Sequence, residues 1–393
     1  MDFYQFIEQN INKDTLSLRL SANKDRHDFD LDSAITQIEC RKKFGTKFKN
    51  LLENGRFLFP DNISAEQASH QAVASYHAKL ASDSSKILDM TAGLGVDSIA
   101  FADGNEVTAV ELNPLKAETL KKNLESLGIK SIDVVNADSI DFLKSTNQTF
   151  DLIFVDPSRR DTENRRVYNL HDCGPDIISN QELLLEKASR ILIKASPLLD
   201  VTQTLKDFQN VKSIRAIGVK GECKELLIEL DRNSVSDECV FFEAVNLDSD
   251  GNLIYSFSAP CNNEESCDFI SSEDLSEGCH ILEPSAMVMK FAPWGRIATK
   301  YNAKKFDRSS HLFISKDFPE DFPGRVTRFK RIIKRSDRKS LEGFPATVVS
   351  KNHPLKSDEI RKTFRLKEGD CNFLYAARID GKPVILLSES VTE

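Results

Sequence analysis

From residue 86 to about 231, short apolar runs alternate with polar stretches that carry helix start and stop signals, and this rhythm predicts an α/β domain. The organising stretch is Lys86 to Ser98, where Ile87, Leu88 and Met90 surround Asp89 and glycines follow at 93 and 95. It reads as a buried strand, a glycine turn and a helix. Further strands are expected at Val107–Val110, at about 131–136 and 150–155, and at Arg190–Ala195. After Glu111, Asn113-Pro114 supplies a cap and a first helical turn, and that helix ends near Gly128. A helix is expected near 176–187 and another after Asp200. Strands near 213–219 and 225–229, joined by the short Lys220-Gly221-Glu222 turn, must be antiparallel. Five parallel strands and this terminal hairpin predict a seven-stranded sheet.

The flanks differ. Residues 1–82 read as a helical segment. One helix capped by Asp32 or Ser33 would carry the apolar stripe Ile35, Ile38, Phe44, Phe48 and Leu51 as far as Asn54-Gly55. A second, with a capping box from Ser64 to Gln67, would run through Val73 and Tyr76 to Leu80. Residues 232–330 hold short β-like runs (Cys239–Val245, Leu253–Phe257, His311–Ser315) and predict an α+β module. From about 331 to the end, Ala346–Val349, Phe373–Ala377 and Val384–Leu387 alternate with basic helical residues, and Gly381 and Pro383 mark a hairpin. Domain limits of 1–82, 83–231, 232–330 and 331–393 follow.

Composition narrows the class. At 393 residues, with 40% hydrophobic and 29% charged residues, the chain suits a multidomain globular protein. It lacks an apolar run long enough to span a bilayer, and its N-terminus lacks a basic and an apolar leader region, so a cytoplasmic location is expected. The eight cysteines show no paired spacing and read as reduced thiols; Cys261, Cys267, Cys279 and His280 lack the Cys-x-x-Cys pair of a zinc site, and no metal is expected. The net charge of −8 hides a split: residues 231–290 carry 13 acids against Arg232 and Lys290, whereas 325–365 carry 13 Lys or Arg against four acids. The second segment is a basic face that can meet phosphates.

Candidate chemistry gathers where the predicted strands end. Asp89, Glu111, Asp138 and Asp156 each lie at or just after an apolar run, and open α/β sheets bind ligands at the carboxyl ends of their strands. A carboxylate about 20 residues beyond a glycine turn suits a ribose diol, and Glu111 lies 18 residues after Gly93. The third glycine of the dinucleotide fingerprint is replaced by Ser98, which favours a nucleoside without pyrophosphate. S-adenosylmethionine is such a nucleoside. Asp97 is either a ligand or an acid favoured by the helix dipole.

Together, Asp89 to Ser98, Val110-Glu111-Leu112-Asn113, Asn136-Ala137-Asp138 and Asp156-Pro157-Ser158-Arg159-Arg160 resemble the successive motifs of class I S-adenosylmethionine-dependent methyltransferases. With Arg190 to Asp200, Phe322-Pro323-Gly324-Arg325 and the basic tail, nearly the whole chain resembles bacterial methyltransferases carrying a ferredoxin-like insert and a THUMP-like C-terminal domain. The core is also similar to relatives of trimethylguanosine synthase. The resemblance implies a Rossmann-like seven-stranded sheet and S-adenosylmethionine as cofactor. It implies an RNA substrate, tRNA foremost, contacted through residues 325–365. Carried over residue by residue, it puts Asp89, Thr91, Gly93, Gly95, Asp97, Glu111, Leu112, Asp138 and Ser139 at the cofactor, with Asp138 at the adenine amino group. Asp156, Pro157, Arg159 and Lys194 fall at the reaction centre.

Several positions admit a second reading. Pro157 fixes its own φ and can hold the Asp156 carboxylate toward a methyl group, but the aromatic residue that usually follows in base-amine methyltransferases is replaced by Ser158. Arg159 and Arg160 can bind a phosphate or pair with Asp161 or Glu163. Lys194 can face the cleft or pair with an acid. Arg41, Lys42, Lys43, Lys47 and Lys49 form either a solvated helix face or a nucleic-acid contact, and Phe329, Phe344 and Phe364 either stack on bases or fill a core. His311 and His353 read as structural. The rival functions are a nicotinamide-dependent oxidoreductase using the same turn and Glu111, a noncatalytic RNA-binding protein, and methylation of a protein or small molecule.

Overall fold

The computed structural model describes residues 1–22, 28–159, 170–234, 239–262 and 265–391. The chain divides into two compact units, residues 1–238 with 246–254, and residues 239–245 with 255–393. Among the described residues no helix is long and apolar enough to cross a membrane.

The first unit opens with three helices, α1 (Phe3–Asn10), α2 (Thr15–Ala22) and α3 (Leu31–Phe44). Asp30, not Asp32 or Ser33, caps α3 by accepting a hydrogen bond from the Asp32 amide. The apolar stripe is real but outlasts the helix: Ile35 and Ile38 are buried on α3, whereas Phe48 and Leu51 are buried from the turns that follow it. The helix expected from Ser64 to Leu80 is two helices, α4 (Asn62–Gln67) and α5 (Gln71–Leu80). Asp61 takes the cap, accepting from both the amide and the hydroxyl of Ser64, and His70 caps α5 through Nδ1. Residues 68–70 are therefore a break between the two helices.

This segment is no separate domain. Phe48, Phe57 and Phe59 share a core with Leu94 and Val96, and Leu58 exchanges two backbone hydrogen bonds with the Asn123 amide side chain. Two of its basic residues work inward, Arg41 donating to the carbonyls of Gly55 and Phe57 and Lys47 to those of Ala65 and Glu66, whereas Lys42, Lys43 and Lys49 are exposed.

The sheet of this unit comprises β1 (Lys86–Asp89), β2 (Glu106–Glu111), β3 (Ile132–Asn136), β4 (Phe150–Val155), β7 (Ala188–Ala195), β8 (Val211–Val219) and β9 (Glu222–Asp231). A two-stranded ribbon, β5 (Ser158–Arg159) with β6 (Cys173–Gly174), lies between β4 and β7 in sequence. The order is β8-β9-β7-β4-β1-β2-β3, with β9 antiparallel to both neighbours and the remaining pairs parallel. These seven strands have the expected order, but the sheet does not stop at seven: it continues past β8 into β10 (Phe241–Leu247) and β11 (Leu253–Pro260), making nine strands. Ile87, Leu88, Val107, Val110, Leu152 and Ile153 are all buried, as strands covered on both faces require. The connecting helices are α6 (Val96–Phe101), α7 (Pro114–Leu127), α8 (Ser139–Ser145), α9 (Gln181–Lys187) and α10 (Val201–Asp207). Asn113 caps α7 ahead of Pro114, and Gly128 closes it in the left-handed conformation. Strand order reverses around β1, which lies between β4 and β2; such a switch point opens a crevice at the strand ends.

The chain then forms the hairpin β10 (Phe241–Leu247) and β11 (Leu253–Pro260). Its tip, 246–254, belongs to the first unit, where the Lys220 amide donates to the Leu247 carbonyl at 2.9 Å and Lys79 Nζ to the Gly251 carbonyl at 3.1 Å.

The second unit holds a sheet ordered β13-β14-β12-β15-β18-β17-β16. Its parts are β12 (His280–Pro284), α11 (Ala286–Met289), α12 (Trp294–Lys300), β13 (Ala303–Lys305), β14 (Phe313–Ser315), β15 (Gly324–Ile333), β16 (Thr347–Ser350), α13 (Ser357–Phe364), β17 (Asn372–Ile379) and β18 (Lys382–Ser390). The boundary expected at 330/331 falls inside β15, which pairs with β12 on one side and β18 on the other. One core, including Ile281, Phe306, Ile314, Phe329 and Tyr375, runs across both halves. Phe329 and Phe364 are buried and Phe344 packs beside Phe364, so these rings fill cores. The β17–β18 hairpin turns on Asp380 and Gly381, both at positive φ.

Candidate active site

A cleft of about 650 Å³ opens at the carboxyl ends of the first unit's strands. The turn after β1 forms one wall. Gly93 and Gly95 both have positive φ, but for different reasons. At Gly95 a Cβ would fall 2.2 Å from Leu120 Cδ1 on α7, so its bare face allows the turn to pack on that helix. At Gly93 there is room, and its amide donates to Glu111 Oε2 at 2.8 Å. Glu111 Oε1 accepts from the Asn113 amide at 2.7 Å. Two backbone donors thus fix this carboxylate at the end of β2, and each oxygen keeps a lone pair. Leu112 stands beside it, 68% exposed and lining the cleft. Asp138 caps α8 by accepting from the Ile140 and Asp141 amides through Oδ1, while Ser139 and Ile140 continue that wall.

Asp89 lies beneath the turn, fully buried. It accepts from the Thr91 amide at 3.0 Å and from the Ser98 hydroxyl at 2.5 Å. Burial raises its carboxyl to about 7, against the pull of those two donors. Thr91 bridges outward, since its hydroxyl accepts from the Asp156 amide at 2.7 Å and so ties the β1 turn to the turn after β4.

The floor is ionic. Lys194, near the end of β7, places Nζ 2.5 Å from Asp156 Oδ2 and 3.0 Å from Ser69 Oγ. Burial pushes the Asp156 carboxyl up and Lys194 opposes that shift; burial would lower the Lys194 ammonium, but Asp156, Glu225 and Asp97 overcome it and raise it. Lys194 is therefore held as a cation. Ser69, in the break between α4 and α5, donates to Asp97 Oδ2 at 2.5 Å, and Asp97 Oδ1 lies 2.8 Å from His77 Nδ1. His77 Nε2 lies 2.7 Å from Glu225 Oε1 on β9.

Comparison with known proteins gives two family matches. The family described as "Conserved hypothetical protein 95" matches residues 65–214, and a ferredoxin-like domain family matches residues 280–323. A crystal structure of a candidate methyltransferase from Porphyromonas gingivalis W83 superposes with a TM-score of 0.86 at 26% identity, covering 99% of this chain and 98% of that one. The chain has the class I methyltransferase fold. Among curated relatives, an uncharacterised RNA methyltransferase of Mycoplasma mobile is 28% identical over 37% of this chain and 41% of its own length. Trimethylguanosine synthase of Schizosaccharomyces pombe is 31% identical over 27% and 46%, and ribosomal RNA small subunit methyltransferase D of Buchnera aphidicola is 29% identical over 27% and 57%. This chain spans between about 40% and 60% of the length of these three relatives.

Within the methyltransferase domain, Thr91, Gly93, Glu111, Leu112, Asp138, Ser139 and Asp156 line one cleft. Two residues expected at the cofactor do not line it: Asp89 sits under the turn and Gly95 turns its bare face to Leu120. Asp97 lines the cleft as well, with one carboxylate oxygen on Ser69 and the other on His77. Of the two readings of Lys194, pairing with an acid is what the geometry gives. Pro157 follows Asp156 at the cleft edge, and Arg159 enters the ribbon by backbone pairing with Cys173. Arg160, Asp161 and Glu163 lie outside the described residues. Sequence reasoning missed Ser69, His77 and Glu225. The break that carries Ser69 had one local signal, His70 as a cap, whereas Glu225 lies 148 residues from His77 and no local pattern joins them.

Proposed function

We propose that this chain is an S-adenosylmethionine-dependent methyltransferase that modifies a nucleotide base of structured RNA in the cytoplasm, with tRNA the favoured class. The observation that carries the reading is the Glu111 carboxylate, fixed by the Gly93 and Asn113 amides at the mouth of a nucleoside-sized cleft whose opposite end holds the Lys194–Asp156 pair. Glu111 has the capacity to accept both ribose hydroxyls. Leu112 and Ile140 offer apolar surface to an adenine, and the Asp138 oxygen not used in capping suits its amino group. These residues fit the cofactor, which when bound supplies an electrophilic methyl group. The buried Ser98, bonded to Asp89 where a third glycine would stand, disfavours the nicotinamide reading.

On the acceptor side, Asp156 keeps Oδ1 for the nucleophile while Lys194 holds Oδ2. An amine attacks with its own lone pair, so Asp156 has only to orient it and take up the proton released after transfer. Support for RNA comes from the names of the curated relatives and from exposed Arg328, Arg335, Arg338 and Lys339 in the second unit. Support for tRNA comes from the tRNA1(Val) (adenine(37)-N6)-methyltransferase of Haemophilus influenzae, 38% identical over 18% of this chain and 33% of its own.

The test is calorimetry with S-adenosylhomocysteine, followed by methyl transfer to RNA from a strain lacking the gene. Glu111→Ala should weaken cofactor binding by about 1–3 kcal/mol, the value of charge-assisted hydrogen bonds. Failure of the wild type to bind would refute the cofactor. Binding without labelling of any RNA would refute the substrate.

A further inference from the structure

Below the cleft floor, one hydrogen-bonded chain joins six side chains from four elements, the turn after β4 and the α4–α5 break. It runs from Asp156 through Lys194, Ser69, Asp97 and His77 to Glu225, with every step between 2.5 and 3.0 Å. His77 has no exposed surface and Glu225 only 2%, and the Phe154 ring packs 5.3 Å from the imidazole. Buried ionic groups are a poor source of stability, since apolar side chains of similar volume commonly serve as well or better. Such a chain therefore calls for another account than packing.

The polarity of the chain supplies one. Each ring nitrogen of His77 faces a carboxylate oxygen, so the imidazole donates from both and is cationic. Burial alone would push this imidazole down, but Glu225 and Asp97 outweigh it and raise it to about 9. The imidazolium keeps Asp97 ionised, its carboxyl held low by the His77 hydrogen bond against the effect of burial. An ionised Asp97 can only accept, so the Ser69 hydroxyl must donate to it. The Ser69 lone pairs then face Lys194 Nζ. Only that orientation lets Ser69 receive the ammonium and hold it against Asp156.

We infer that His77 is a positioning residue for the turn after β4: through Asp97 and Ser69 it fixes the Lys194 ammonium on Asp156 and so sets the charge and direction of the carboxylate presented to the acceptor. This rests on the reading of Asp156 as the acceptor-side group. The charged groups facing one another here are Asp89 on β1, His77 on α5, Asp97 on α6, Asp156 after β4, Lys194 on β7 and Glu225 on β9, with Lys47 acting on the same cluster from beyond α3.

The experiment follows the Asp156 carboxyl by carbon NMR in protein labelled at aspartate Cγ, assigned with Asp156→Asn. In His77→Gln the uncompensated Asp97 and Glu225 draw Lys194 away, and in Ser69→Ala the anchor is lost. Either change should raise the Asp156 titration midpoint by about one pH unit, a tenfold gain in proton affinity. Ser69→Thr, which keeps the hydroxyl, should titrate as the wild type does. An Asp156 midpoint unmoved by these changes overturns the proposal. If His77→Gln does not fold, Ser69→Ala decides, because it removes the anchoring hydroxyl at nearly constant volume. Should the midpoint move while Asp156→Asn still transfers methyl groups, the positioning chain stands and the role given to Asp156 falls.

Discussion

Replacing Gly95 by alanine separates two costs that the glycine turn avoids. The first is conformational: Gly95 has φ of 83°, a region that costs an L residue about 1–2 kcal/mol. The second is steric. The added Cβ would lie 2.2 Å from Leu120 Cδ1 and 3.3 Å from both Cγ and Cδ2. Ordinary carbon contacts are about 3.5–4.0 Å, so the Leu120 side chain or α7 must yield by roughly 1.5 Å. Leu120 is 1% exposed between buried Ala117 and Leu124 and has nowhere to go. Overpacking of this kind costs about 1–3 kcal/mol, which gives about 2–5 kcal/mol in all. Gly104 is the control, because it has φ of 82° and nothing within 4 Å of a built Cβ. Gly104→Ala should lose only the conformational part. Urea unfolding followed by far-ultraviolet circular dichroism, compared at a common m value, reads both variants. Leu120→Ala in the Gly95→Ala background should cost less than it does alone, since the two changes share one space. Equal losses for Gly95→Ala and Gly104→Ala would refute the packing argument.

Two further outcomes are expected. The His77 imidazole is raised to about 9 in the folded protein from an ordinary value near ~6.5, so its stabilising contribution is full below about pH 6.5 and disappears as pH rises through 9. Lys47, lowered to about 8 chiefly by burial, acts in the opposite sense above that pH, so the measurement is the difference in urea midpoint between wild type and His77→Gln from pH 6 to 9.5; a constant difference would contradict the assignment. Converting exposed Arg335, Arg338 and Lys339 to alanine should flatten the salt dependence of RNA binding by about 2 in the log–log slope, at roughly 0.7–0.9 per phosphate contact, and an unchanged slope would remove this patch from the interface.

What was legible in the sequence was local. Apolar runs that end in Asp89, Glu111 and Asp156 betrayed strands and their acids because both the burial and the ligand-facing position follow from chain order alone. Asn113-Pro114 and Lys220-Gly221 fixed the adjoining helix and hairpin for the same reason. Charge composition was a poor guide to architecture. The basic stretch from 325 begins on the same strand that completes the ferredoxin-like half, because β15 alternates buried Thr327, Phe329 and Ile333 with exposed cations and tells nothing of where a module ends. The ionic floor was invisible because Ser69, His77, Asp97, Lys194 and Glu225 meet only after the sheet is assembled.

The continuity of β15 has a consequence for anyone dissecting the molecule. Cutting the chain at 330 would sever a strand in mid-course and strip β18 from its flank, leaving a row of unsatisfied amides and carbonyls beside freshly bared Phe329. An open edge of that kind recruits other chains. Loss of RNA binding in such a truncation would then report aggregation as readily as a missing contact. The C-terminal sixty-odd residues act less as an appendage than as the second half of a zipper, to be probed by changing charges on its surface and not by removing it.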